Sequence, residues 1–190
     1  MKKQPEITAH TRQKLIDTFW EIAEERGIDK VTVSEITKRA HYNRSTFYEY
    51  FSDVKQLIME IEDEILHDLP HNTKLTTLTL DNPDELRALT QELIHKLVSY
   101  DNKFFLLIGK QGDPLFISKL RNDLTKQLLP LIYTSSLVNY SEYITAYISS
   151  ATIGLMSYWY ENGKRISAKE LGEILYQITF NGSLGFLQTK

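Results

Sequence analysis

The densest run of side chains able to recognise a ligand lies between residues 32 and 55. It holds Thr32, Val33, Tyr42, Asn43, Arg44, Ser45, Thr46, Tyr48, Tyr50 and Lys55. A guanidinium can take guanine O6 and N7 in bidentate fashion. A threonine offers a methyl to thymine or a hydroxyl to phosphate, and a tyrosine donates to a phosphate oxygen. Catalytic or metal chemistry has less to work with. No nucleophile with a neighbouring base and acid stands out. The absence of cysteine removes disulfides, thiolate metal sites and cysteine nucleophiles. His67 and His71 have the i, i+4 spacing of a shared metal, but Pro70 lies between them and no third ligand is evident. The stretch Gly109-Lys110-Gln111-Gly112-Asp113-Pro114 lacks the spacing of a phosphate loop and reads as a loop plus a helix cap. No enzyme activity, metal or cofactor is expected.

Charge gives a nucleic-acid reading little help. The 190 residues carry a net charge of −3. Residues 1–55 hold ten Lys/Arg against nine Asp/Glu, so this part is nearly neutral. DNA binding must then rest on where the charges sit. A hydrophobic fraction of 42% with 25% charged residues is that of a globular chain without a membrane span. The N-terminus has no apolar stretch behind Lys2 and Lys3 and is not expected to act as a secretory signal.

The elements that must position these residues are all helical, about nine in number. A first helix from Thr8 or Ala9 to Arg26 carries the stripe Leu15, Ile16, Phe19, Ile22 and Ala23, and Gly27 caps it. Thr32 and Glu35 form a capping box for a short second helix ending near Ala40. His41-Tyr42-Asn43 is a turn. A third helix spans 44–50, with Asn43 able to cap it and Phe47 and Phe51 facing inward. Asp53 opens a fourth, over 53–69. Residues 70–82 are a connector. Further helices start at Asn82-Pro83, 101, Asp113-Pro114, 139–141 and Ser167. The division expected is a helix-turn-helix head over 1–52 and a second domain over 53–190, with helix 53–69 linking them. Two short helices joined by a tight turn and braced by a longer one suit a major groove. Any short amphipathic helix also has a polar outer face, so the residue types alone leave a plain surface helix open. Two tyrosines exposed beside an arginine favour the groove reading.

The stretch Thr32 to Phe51, with its core Thr46-Phe47-Tyr48-Glu49-Tyr50-Phe51, resembles the DNA-binding signature of the TetR/AcrR family of bacterial regulators. The resemblance covers about residues 8–66, and beyond them it is one of all-helical architecture. It implies that Thr32 and Val33 meet phosphate while Arg44, Ser45, Thr46 and Tyr48 read DNA. Three positions depart from the pattern. His41 stands where glycine is usual, Ser45 where a smaller residue is common, and Val54 where a lysine often opens the fourth helix. Lys55 is one step further on, a turn of about 100°. Phosphate anchoring is then expected to lean on Thr32, Tyr48, Lys55, Lys2, Lys3 and Arg12.

The resemblance also implies a cytoplasmic homodimer on a palindromic DNA operator, a repressor released by a small-molecule effector. Two rival readings stay open: a co-regulator of the same fold acting through a protein partner, and a helical enzyme binding a small molecule. The expected effector lining is Tyr143, Tyr147, Met156 and Trp159 against Phe104, Phe105, Phe116 and Leu120, although each singly suits a core. The expected dimer surface is Ile144, Ile148, Ala151 and Leu155 of one helix, with Leu171, Ile174, Ile178, Gly182 and Gly185 of the last. Helical glycines cost about 1 kcal/mol relative to alanine, and close approach of a second helix offsets that.

Overall fold

The computed structural model describes residues 5–69, 82–110, 112–133 and 140–188. Nine α-helices and one 3-10 turn occur among them, and no strand. Helix α1 (Pro5–Arg26) buries the stripe Leu15, Ile16, Phe19, Ile22 and Ala23. It ends where Gly27, at φ 93°, turns the chain into the 3-10 turn Ile28–Lys30. Helices α2 (Val33–Ala40) and α3 (Arg44–Tyr48) follow. The Asp53 carboxylate accepts from Gln56 N at 2.7 Å and starts α4 (Val54–Asp68). Asn82 caps α5 (Pro83–Ser99) through Glu85 N, with Pro83 in the first turn. Apart from Asn82, the connector expected over 70–82 lies outside the described residues.

The second part comprises α5, α6 (Asp101–Ile108), α7 (Pro114–Tyr133), α8 (Ser141–Glu161) and α9 (Ala168–Gln188). Helix α5 packs along α9, and α7 along α8. The capping box opening α9 is complete: Glu170 N donates to Ser167 Oγ at 3.2 Å, and Ser167 N donates back to the Glu170 carboxylate at 2.7 Å. Between α6 and α7, Asp113 N reaches Leu107 O at 3.0 Å, and Asp113 caps α7 through Leu115 N. A Cβ on Gly112 would lie 2.1 Å from Leu107 O, so only glycine closes this turn.

One continuous apolar core runs from head to body. Phe19, Phe47 and Phe51 fill it at one end and Phe104, Phe105 and Phe116 at the other, with Ile61 and Ile65 of α4 in the same cluster. Fully burying a side chain of this size stabilises by about 1.5–3 kcal/mol. Helix α4 is therefore mechanically continuous with both ends.

Candidate nucleic-acid interface

The head is set by a two-sided helix. On α3, Phe47 is fully buried while its neighbour Tyr48 is 57% exposed, the two rings meeting edge-on at 5.8 Å. Asn43, Arg44 and Ser45 are exposed, and Thr46 is half-buried. The regular helix stops at Tyr48, two residues short of the expected 44–50. Phe51 N bonds back to Phe47 O, which tucks Phe51 into the core and leaves Tyr50 half-buried against it. Tyr42 is likewise half-buried against the core. Their rings thus belong partly to the scaffold.

The caps differ in detail from expectation. Thr32 Oγ1 accepts from Glu35 N at 3.3 Å, but the Glu35 carboxylate is held by Arg26 at 2.6 Å, so one half of the capping box forms. Asn43 caps α3 through its backbone carbonyl, which accepts from Thr46 N and Phe47 N; its side chain makes no capping hydrogen bond. His41 adopts the left-handed conformation, φ 59° and ψ 38°, where a glycine would carry no steric cost. The turn therefore keeps the geometry that glycine serves, at the expense of some backbone strain.

Three arginines of the head, Arg12, Arg26 and Arg39, are engaged by carboxylates. Arg39 forks onto Glu25 at 2.6 and 2.9 Å, and its hydrogen bonds hold the Glu25 carboxyl below the ordinary range. Arg12 bonds both Glu60 and Glu64 at 2.8 Å and lies over the Phe51 ring. The expectation that Arg12 anchors phosphate is therefore corrected: it ties α1 to α4. Lys2 and Lys3 lie outside the described residues. Arg44 reaches Ser34 Oγ at 2.9 Å across the angle between α2 and α3, and remains exposed. Thr32 and Lys55 are exposed and Val33 is half-buried, while Val54 packs toward the core.

A second candidate site lies in the body. A cavity of about 80 Å³ opens between α5, α7, α8 and α9. Leu86, Leu89, Thr90 and Leu93 line it from α5, and Leu124, Gln127 and Leu128 from α7. Ile148, Ser149 and Thr152 of α8 and Leu175, Thr179 and Phe180 of α9 close it. None of these belongs to the effector lining expected from the sequence. Phe104, Phe105, Phe116, Leu120, Met156 and Trp159 are core: Phe105 stacks on Tyr160 at 4.7 Å, and Trp159 Nε1 donates to Ile166 O at 2.8 Å. Tyr143 and Tyr147, 78% and 62% exposed, stand on the outside of α8. The signal that sequence reading missed is a set of uncharged polar residues interrupting the apolar faces: Thr90, Gln127, Thr152 and Thr179.

The expected dimer residues divide. Leu171 is buried within this chain, which corrects it as a surface residue, and the half-buried Ile148 lines the cavity. Ile144, Ala151, Leu155, Ile174 and Ile178 are half-buried, and Gly182 is exposed. The side chains beyond Gly182, and with them the surroundings of Gly185, lie outside the described residues. Gly182 has φ 73° and breaks α9, a conformation that favours glycine. The close approach is made instead by Gly172, where a Cβ would meet the Gln91 side chain of α5 at 2.8 Å. The exposed stripe of α8 is Tyr143, Tyr147, Ser150, Gly154 and Tyr158, at helical spacing.

Three ionisable groups join α4 to α7. Lys119 Nζ lies 3.2 Å from Glu62 and 2.8 Å from Asp63. Glu62 is fully buried and its second carboxylate oxygen has no partner. Burial pushes the Glu62 carboxyl up, Lys119 opposes the shift, and the nearby Asp113 adds to it. Among the described residues there is no group of three metal-ligating side chains, and no helix is long and apolar enough to cross a membrane.

Known proteins share this arrangement. Residues 15–61 match the family model described as bacterial regulatory proteins, tetR family. Residues 84–181 match that of the transcriptional regulator C-terminal region. The chain is 36% identical over 62 residues to an uncharacterized HTH-type transcriptional regulator, YvdT, of Bacillus subtilis (strain 168); the match covers 33% of this chain and 32% of that relative. In structure it is similar to the fatty acid degradation regulator FadR from Bacillus halodurans, with a TM-score of 0.69 at 15% identity over 96% of this chain and 98% of the other. It is also similar to a transcriptional regulator of the TetR/AcrR family from Thermobifida fusca YX-ER1, with a TM-score of 0.57 at 16% identity over 90% and 97% of the two chains. At such identities the structural likeness is one of fold. The fold and the two family matches, one of them covering half of the sequence, lead to one conclusion: this chain belongs to the TetR family of bacterial regulatory proteins.

Proposed function

We propose that the protein is a transcriptional repressor that binds an operator as a homodimer and releases it when a small molecule occupies the body. Residues 1–52 act as the DNA-binding unit and 53–190 as the effector and dimerisation unit, with α4 coupling them. Arg44, Ser45, Thr46 and Tyr48 read base edges or neighbouring phosphates; Thr32, Val33, Asn43 and Lys55 hold the backbone, with Tyr42 and Tyr50 at the rim. The observation that carries this reading is the division of α3: Phe47 is locked in the core while Tyr48 and Arg44 face solvent beside it. A merely structural helix has no need to expose that pair. No catalytic reaction is assigned to the chain.

The effector site is the cavity between α5, α7, α8 and α9. A molecule that fits one arrangement of these helices better than another shifts the population, and with it the spacing of the two heads. The dimer surface is the exposed tyrosine stripe of α8 together with Ile174 and Ile178 of α9. A gel-shift assay on DNA flanking the protein's own gene tests the reading. Arg44→Ala and Tyr48→Ala should each weaken binding by about ten- to a hundredfold with the fold intact by circular dichroism. Undiminished binding by both variants contradicts it.

A further inference from the structure

The cavity in the body has a chemical character that goes beyond its position. No Lys, Arg, His, Asp or Glu lines it among the described residues. Its walls are mostly apolar, so an ionised group brought inside would lose its hydration without a counter-ion. The polar atoms that remain are biased in one direction. Thr90 Oγ1 donates to Leu86 O at 2.9 Å and Thr152 Oγ1 to Ile148 O at 2.8 Å, so each hydroxyl proton is already used. Ser149 Oγ donates to Ala146 O at 3.3 Å and pairs with Thr125 Oγ1 at 3.4 Å, so its lone pairs are partly used. Gln127 gives one amide proton to Asp123 at 2.6 Å and keeps its carbonyl oxygen and a second N–H. Thr179 adds a hydroxyl that can act either way. The walls thus offer more acceptors than donors. At about 80 Å³ the cavity has room on the order of half a dozen waters.

We infer that this cavity takes a small, uncharged, largely apolar molecule that carries a hydrogen-bond donor, such as an alcohol or phenol hydroxyl, and discriminates against carboxylates. The inference rests on the reading of this cavity as the effector site. The donor meets the lone pairs of Thr90, Ser149, Thr152 or Gln127, and the apolar body lies along the leucines.

Ligand-observed NMR and thermal shift on the whole protein test it with three probes of similar size: 1-hexanol, methyl pentyl ether and hexanoate. Hexanol should bind at least tenfold more tightly than hexanoate and several-fold more tightly than the ether. Thr90→Val keeps the volume and removes an acceptor, so it should narrow the gap between hexanol and the ether. Ile148→Trp should fill the cavity and abolish hexanol binding in a folded protein. Hexanoate binding as tightly as hexanol, an ether equal to the alcohol, or no hexanol binding at all overturns the inference. Hexanol binding that survives Ile148→Trp overturns it as well. Release of DNA is scored separately: hexanol bound in the cavity with DNA affinity unchanged supports the ligand class and removes the effector reading alone.

Discussion

At the scale of single residues, neighbours on α3 do opposite work. Phe47→Ala should destabilise the head by about 3–5 kcal/mol, because it leaves a void in a fully packed core. Tyr48→Ala should leave the melting temperature nearly unchanged and act on DNA binding only. Thermal melts of the two variants beside gel shifts check the contrast. His41 is a second informative position. Its φ of 59° carries a penalty that glycine escapes, partly offset by glycine's freedom in the unfolded chain. His41→Gly should stabilise by up to about 1 kcal/mol, read as a rise in the denaturant midpoint; a fall contradicts strain at the turn. Three cations of the nearly neutral head, Arg12, Arg26 and Arg39, are engaged by carboxylates. Phosphate anchoring is correspondingly modest and should give a shallow dependence of affinity on salt.

At the scale of elements, α4 is gripped over one stretch, residues 60–64, by Arg12 of α1 and by Lys119 of α7. The Glu62 contact makes that grip sensitive to pH. Its carboxyl is raised by burial, so the folded state holds the proton where the unfolded state has lost it. The contribution to stability is therefore present at low pH and is lost as pH rises from the ordinary carboxylate range through the raised value. Glu62→Gln should flatten that part of the stability profile measured by thermal melts from pH 4 to 8. A profile unchanged from the parent contradicts the assignment. Glu170, held below the ordinary range by its hydrogen bonds to Ser167, works in the opposite sense and is lost as pH falls. The helices themselves were legible in the sequence because caps and apolar stripes are local. Thr32, Asp53, Asn82 and Ser167 mark starts, and Gly27 a stop, without reference to the rest of the chain. The cavity was not legible, because it depends on how four helices pack. Tyr143 and Phe104 each look suited to a pocket, yet packing sends one to the surface and the other to the core. The same reason hid the contact of Gly172 with the Gln91 side chain of another helix.

At the scale of the whole molecule, the proposed function depends on two copies holding two reading helices about one DNA turn, roughly 34 Å, apart. The exposed tyrosines of α8 are the surface proposed to do this. Gly154 has open space around it in the middle of that stripe, so a partner helix can come close there. Tyr147→Glu should convert a dimer to a monomer in analytical ultracentrifugation and weaken DNA binding with it; a dimer that persists places the interface elsewhere. The near-neutral head makes that second copy more important, since one head alone has little charge to hold DNA. The central claim, that α3 reads DNA as one half of a symmetric pair, is tested most directly by selecting bound sequences from a random DNA pool. The expected result is a pseudo-palindrome with half-sites about 10 base pairs apart, centre to centre, lost when Arg44 and Tyr48 are both changed to alanine. Absence of any enriched motif, or the same motif from the double variant, contradicts it.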